Sequence, residues 1–435
     1  MFISQMCGWT EDMWGALIGL FSFIPNWGWM IIVFTVCLKI VLSPLDLWQK
    51  KVARASAQKQ AIIQPEVAKL QKKFGNNKQM LNQKTMELYK RENFSVFGSC
   101  IGMLVNMAVT LFIFLTLFYA LIGLGQTQIY NQYQTLQTDY NEKFVVAFNL
   151  TDESEIASTE QSYWDTAYAS AVTYIETEEP QAEGESDSDY EKRIYNKALQ
   201  NYSDTATLSS EYATIGDIQT EVLNVYNTEV KQSWLWVQNI WRPDTNSTGF
   251  PDYATFVSST NLYSSTDYTT ELNARITALG ESATAEQISA ETLEVQDEFE
   301  NKYNFVTYNV QSAYQGWNGY FILTILAAAI TYLSVTISQM QTTKKKSKKT
   351  DIQPQGAETP VNPINTNKAM KFMKFLLPVL MIIFTIGYNA AFALYIVTNS
   401  VMSTILSFTF LKILDAKDKK KKVTITTLNK PDYSR

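Results

Sequence analysis

The residues best placed to do chemistry are polar groups set inside long apolar runs. Lys39 interrupts the run 27–47, twelve residues past Trp27, or about 18 Å along a helix. An ionisable side chain at that depth is costly. It faces a bundle interior or a wet cavity, unless its stem carries the ammonium out to the headgroups. The spacing fits both placements, so two readings stand: a cation in a hydrophilic groove, or a lysine that snorkels. Thr35 lies one turn earlier on the same helix face. In the last apolar run Tyr395, Thr398 and Asn399 recur at spacings of three and four, which draws a polar stripe. Asn106, Thr110 and Gln339 add polar groups from two further runs. The plainer account of all of them is interhelical hydrogen bonding, worth about 1 kcal/mol per pair in a membrane.

Other chemistries lack their residues. The chain has no histidine, which excludes His-based triads, His metal ligands and imidazole pH sensing. Cys7, Cys37 and Cys100 are scattered thiols that suggest neither a disulfide framework nor a metal site. No phosphate-cradling loop occurs. The expectation is a protein that is not an enzyme and that uses no cofactor and no metal.

The elements that must position the polar residues are legible in charge and hydropathy. A helix needs about 20 mostly apolar residues to cross a bilayer. The runs 27–47, 97–125 and 316–340 meet this. The run 375–411 is too long for one crossing and is expected to turn at Gly387-Tyr388-Asn389. The fold class predicted is therefore an all-α polytopic membrane protein with five transmembrane helices at 27–47, 97–125, 316–340, 375–388 and 390–411. Between 126 and 315 the chain carries 31 acidic and 8 basic residues, a net of −23. The remainder carries 28 basic and 11 acidic residues, a net of +17, and the two make the total of −6. Segregation across a membrane explains such an asymmetry. Basic loops mark the cytoplasmic side, which places a helical hairpin (48–96), a loop (341–374) and the tail (412–435) there. The N-terminal stretch 1–26, with an interfacial helix and Trp9 and Trp14 at headgroup depth, falls outside with the acidic insert 126–315.

Within the hairpin, Ile62, Ile63, Val67, Leu70 and Phe74 form one apolar seam, and Met80, Leu81, Met86, Leu88 and Tyr89 the other, joined at Gly75-Asn76-Asn77. The insert is rich in Tyr, Thr, Ser and Glu. Helices are expected over 163–175, 210–226 and 284–303, the last opening with a Thr284/Gln287 capping box, and 178–189 has a disordered composition. Few long apolar stretches are available to build it a large core.

Several motifs together resemble the YidC/Oxa/Alb family of membrane-protein insertases, over roughly half the chain. They are Asn26-Trp27-Gly28-Trp29 with the following run to Pro44-Leu45, the hairpin stretch 64–74 with 86–90, the segment 234–244 ending in Pro243-Asp244, and Ala393-Leu394-Tyr395-Ile396-Val397-Thr398-Asn399-Ser400. Lys39 stands where the family usually has Arg, Asn106 where Gln is usual, and the second span lacks the family's prolines. The resemblance implies a hydrophilic groove open to the cytoplasm, with Lys39 as its positive charge and Thr35 and Tyr395 flanking the substrate's path. Asn106, Thr110, Gln339, Thr398 and Asn399 complete the candidate set.

The function expected is insertion and folding of membrane proteins in a bacterial cytoplasmic membrane. Nascent membrane proteins and lipids are the partners, with the ribosome, a targeting receptor and the general translocon as further ones, and no DNA. A solute transporter using Lys39 is an alternative, but it should show repeats or broken helices. The other alternative is a binding module that the spans merely anchor.

Overall fold

The computed structural model describes residues 12–91, 96–280, 282–343 and 366–428, and among them every regular element is helical. Two isolated bridges, Ala206 with Thr214 and Trp234 with Val237, are the β pairing in this region. Helical turns over 12–19 precede α1 (Trp27–Phe74), α2 (Lys78–Arg91) and α3 (Val96–Phe148). The insert adds α4 (Ile156–Glu178), α5 (Asp187–Ser203), α6 (Ile215–Val225), α7 (Tyr253–Thr260), α8 (Thr266–Leu279) and α9 (Ala285–Ala313). Three helices close the chain: α10 (Ile322–Thr343), α11 (Thr366–Ile386) and α12 (Ala390–Leu428).

Three stretches are long and apolar enough to cross a membrane: Trp27–Gln49, Met107–Phe148 and Ala390–Phe410. Shorter apolar stretches, Ile322–Ile337 and Lys374–Ile386, lie in α10 and α11. The turn expected at 387–389 is where α11 gives way to α12. Asn389 holds it from both sides: its carbonyl oxygen accepts from the Phe392 amide (3.0 Å) and its amide donates to the Leu121 carbonyl of α3 (2.7 Å).

Two helices outrun the boundaries set by composition. α1 continues past 47 through Pro65 to Phe74, so the first apolar run and the hairpin's first arm are one rod. α3 runs 53 residues, about 80 Å, without a break at 125. The stretch 126–148 contains neither Gly nor Pro, so a change in polarity does not end the helix. In the hairpin, Asn77 caps α2 through the Met80 amide (3.1 Å), and Arg91 pairs with Glu66 at 2.5 Å across the two arms. Ile63, Leu81 and Leu88 are buried in the seam, whereas Met80 and Met86 face out. Leu81 and Leu88 are two helical turns apart, and the two methionines fall off that line.

The insert has a larger core than its lack of apolar runs predicts, because aromatic rings build it. Tyr140, Phe144 and Phe148 of α3 stack in series, with centroids 5.7 and 4.5 Å apart, and Tyr202 stacks on Phe305 at 4.1 Å. One continuous buried cluster reaches from these rings to Phe34 of α1. The capping box at Thr284 and Gln287 is present. The stretch with a disordered composition is instead held in place. Arg193 grips both oxygens of Glu185 (2.8 and 2.9 Å) and the Glu179 carbonyl (3.2 Å). Trp14, expected at headgroup depth, is buried edge-on against Phe34 at 6.0 Å. The two glycines and the proline that follow it let these turns fold back onto α1. Trp9 lies outside the described residues.

Candidate functional site

Lys39, Thr110, Tyr395 and Asn399 are brought together from α1, α3 and α12 around a cavity of about 60 Å³, whose apolar wall includes Leu42, Ile113 and Phe114. A polar cavity of that size holds a few waters. Tyr395 is buried, Asn399 half-buried and Thr110 exposed. Thr35 is not on the lining. It is 1% exposed, and its hydroxyl donates to the Ile31 carbonyl of its own helix at 2.6 Å. Thr398 is half-buried and likewise off the lining. The Asn106 and Gln339 side chains lie outside the described residues.

The charge at the site is not the bare cation expected from the sequence. Lys39 Nζ is 2.9 Å from Asp46 Oδ2, and the two side chains are only 12% and 19% exposed. Residues seven apart lie two turns along one helix face, about 10 Å on, and the lysine stem covers most of that distance. The pair is therefore internal to α1 and close to neutral. Asp46 is the residue that reading the run as apolar apart from Lys39 overlooked. A carboxylate seven positions after an intramembrane lysine was the signal for it. The Lys39 ammonium lines the cavity with a partner already bound.

A second constellation lies at the insert end of the same helices. The segment 234–244 has no regular structure, and it serves as a clamp on three helix ends and the middle of α3. Asn26 caps α1 through the Gly28 (3.0 Å) and Trp29 (3.3 Å) amides while its amide donates to the Ser233 carbonyl (2.8 Å). Gly28 admits the Trp234 indole so closely that a Cβ there would collide with it. Trp27 meets Trp241 edge-on at 5.0 Å. Asn239 donates to Gln132 of α3 at 2.9 Å. The carbonyls of Ile240 and Arg242 accept from Ala391 (2.9 Å) and Ala390 (2.8 Å), the first residues of α12.

Asp244 caps α10 from a distance in sequence of some eighty residues. It accepts from the Leu323 and Thr324 amides (2.9 and 3.3 Å) and from the Thr324 hydroxyl (2.9 Å). Burial raises its carboxyl above the usual range, and these three hydrogen bonds work against that shift. A carboxylate at a helix N-terminus also meets the positive end of the dipole. Asn318 closes the loop by donating to the carbonyls of Asn239 (2.9 Å), Arg242 (3.2 Å) and Pro243 (2.9 Å). The arrangement fixes where α1, α10 and α12 start relative to one another and to the middle of α3. It thereby sets the register that places Tyr395 opposite Lys39. Among the described residues no group of His, Cys, Asp and Glu could hold a metal ion.

Comparison with known proteins bears on this core. Residues 19–191 match the family model of the 60Kd inner membrane protein. The membrane protein insertase YidC of Dechloromonas aromatica is 36% identical over 108 residues, which are 25% of this chain and 18% of that protein. The one of Xanthomonas campestris is 36% identical over 112 residues, 26% of this chain and 18% of that protein. The one of Fusobacterium nucleatum is 39% identical over 93 residues, 21% of this chain and 43% of that protein. The chain thus spans under a fifth of the length of the first two relatives and under half of the third. No solved structure matches it significantly. The match covers α1, α2 and the whole of α3, which carry Lys39, Asp46 and Thr110, and over this core the chain is similar to the 60Kd inner membrane protein family and to the YidC insertases.

Proposed function

We propose that the chain is a membrane-protein insertase of a bacterial cytoplasmic membrane, serving substrates with short translocated segments. The observation that carries this reading is the Lys39–Asp46 pair in a polar cavity among α1, α3 and α12. Polar groups at that depth are costly to keep, and a wet cavity that holds them lowers the cost for a passing polar segment too. The substrate's own charges exchange into the pair, and Thr110, Tyr395 and Asn399 offer hydrogen bonds on the way. Burying the substrate's apolar helix in lipid drives the reaction at roughly 25 cal/mol per Å², so no nucleotide, cofactor or metal is needed. The site binds and releases; it does not break bonds.

The membrane arrangement proposed has five spans, with α10 and α11 supplying the third and fourth. The acidic insert and N-terminus lie outside. The hairpin, the 341–374 loop and the tail lie in the cytoplasm. Lys and Arg bias in the loops supports that orientation. The hairpin is then the arm that meets nascent chains, with the ribosome, a targeting receptor, the general translocon and anionic lipid as further partners of the basic surfaces. Complementation tests the whole reading. Expressed in a bacterium depleted of its own insertase, the chain should restore growth and the protease-protected state of a small two-span substrate. A membrane-integrated product that restores neither would refute it.

A further inference from the structure

The insert holds a second cavity, far from the Lys39 pair, and its lining is unlike anything in the membrane helices. It has a volume of about 360 Å³ and is bounded by Trp164 and Tyr168 of α4, Tyr195 of α5, and Asp297, Glu300 and Asn301 of α9. Trp164 is the floor: it is 6% exposed, and Tyr168 and Tyr195 flank it at centroid distances of 5.8 and 5.4 Å. Tyr195 is pinned, donating to Asn301 (2.9 Å) and accepting from Asn304 (3.0 Å), so its ring cannot swing in to fill the space. Asp297 and Glu300 stand one helical turn apart at the rim. Neither has a cationic partner within 4.0 Å among the described residues, in a domain where Arg193, Arg275 and Lys302 are all committed to other carboxylates.

We propose that this cavity binds an N-methylated ammonium group, with the three aromatic faces around the cation and Asp297 and Glu300 balancing its charge. The chemistry selects that class. Aromatic faces carry negative quadrupoles that attract cations, most strongly when the cation is weakly hydrated. A hard metal ion needs a shell of several oxygens at close range, carboxylates foremost, and no group of three His, Cys, Asp or Glu side chains converges here among the described residues. A cavity of 360 Å³ suits an organic group. A neutral apolar ligand would leave the repulsion between the two carboxylates uncompensated.

The site is independent of the insertase reading, and its test uses binding alone. Purified full-length protein in detergent is mixed with choline, or with its neutral isostere 3,3-dimethylbutan-1-ol. Transfer of saturation from protein to ligand methyl protons is followed by NMR. Choline should show saturable transfer, and the isostere should bind about tenfold more weakly or worse. Asp297→Asn/Glu300→Gln and, separately, Tyr168→Leu should each weaken choline binding severalfold. Both variants change exposed or half-buried positions, and an unchanged melting temperature confirms their fold. Equal binding of choline and the isostere, choline binding indifferent to these variants, or no transfer at millimolar choline would each overturn the proposal. n-Propylamine resolves the source of the cation: a methylated headgroup or solute predicts that choline binds more tightly, and tighter propylamine binding would point to a primary amine and defeat the N-methyl assignment.

Discussion

At the Lys39 site, seven residues and a 2.9 Å contact decide how each variant should behave. Lys39→Ala leaves the Asp46 carboxylate buried without a partner, and breaking a buried pair costs on the order of 3 kcal/mol. Lys39→Glu is worse, since it sets two carboxylates side by side. Lys39→Arg keeps the charge and suits a carboxylate, so it should retain insertion. The discriminating variant is the exchange Lys39→Asp/Asp46→Lys, which should recover membrane levels and most insertion in a protease-protection assay. Failure of the exchange, with normal protein levels, would mean that the position of the cation matters and the pair does not. Asp244 offers a cleaner stability measurement. Asp244→Ala strips the remote cap from α10 and should cost about 1–2 kcal/mol, whereas Asp244→Asn keeps acceptors for the two amides and loses less. Thermal unfolding in detergent ranks the two, and equal midpoints would show that α10 does not depend on this cap.

Among the elements, the long helices matter most, because α1 and α3 each belong to two parts of the molecule. Removing 126–228 would cut α3 and delete Gln128 and Gln132, whose partners are Gln232 (3.0 Å) and Asn239 (2.9 Å) of the clamp. Such a deletion should therefore damage the membrane core as well as the insert. A smaller excision respects the architecture. The Leu208 amide donates to the Ala147 carbonyl at 3.0 Å, so the chain returns beside α3 after α4 and α5. Replacing 151–204 with a short Gly/Ser linker should leave the clamp and substrate insertion intact, while replacing 126–228 should abolish both. Protease protection of a two-span substrate, compared at equal amounts of integrated protein, separates them. Equal activity of the two deletions would show that the outer half of α3 is dispensable.

For the whole molecule the dominant quantity is the insert's net charge of −23. Self-repulsion disfavours the compact state, and the buried Glu160 and half-buried Glu300 carboxylates, with Asp244 of the clamp, add to it. Burial raises Glu160 despite Lys302 at 2.7 Å, and burial together with Asp297 raises Glu300. A carboxyl raised in the folded state takes up a proton there more readily than when unfolded. Its contribution to stability is complete below the ordinary carboxylate value and disappears as pH climbs through the raised one. Asp152 and Glu185 are shifted down by their hydrogen bonds. They oppose this trend only as pH falls through their depressed values, below the usual carboxylate range. Acidification from neutral pH toward the ordinary carboxylate range should therefore raise the unfolding midpoint of the insert, read from its tyrosine and tryptophan signals. A midpoint that falls over this interval would contradict the balance of shifts.

What the sequence determined by itself was whatever depends on local composition and period. The apolar runs, the break before Ala390, the hairpin turn at 75–77, the Thr284 capping box and the helical class follow from short-range rules, and the family motifs marked α1, α2, the segment 234–244 and α12. The candidate set was legible in part: Lys39, Thr110, Tyr395 and Asn399 share a cavity because α1, α3 and α12 each turn a polar position toward it. Tertiary structure decided the rest. Thr35 carries the right residue type at the right spacing, yet its hydroxyl is satisfied within its own turn. Asp46 was visible as a letter, but its partnership is a matter of where a lysine stem bends. The clamp was beyond local reading for a stronger reason. Asp244 caps a helix that begins at Ile322, and Arg242 and Ile240 hold one that begins at Ala390. Backbone groups at helix ends must find partners, but the chain's path alone settles which distant loop supplies them.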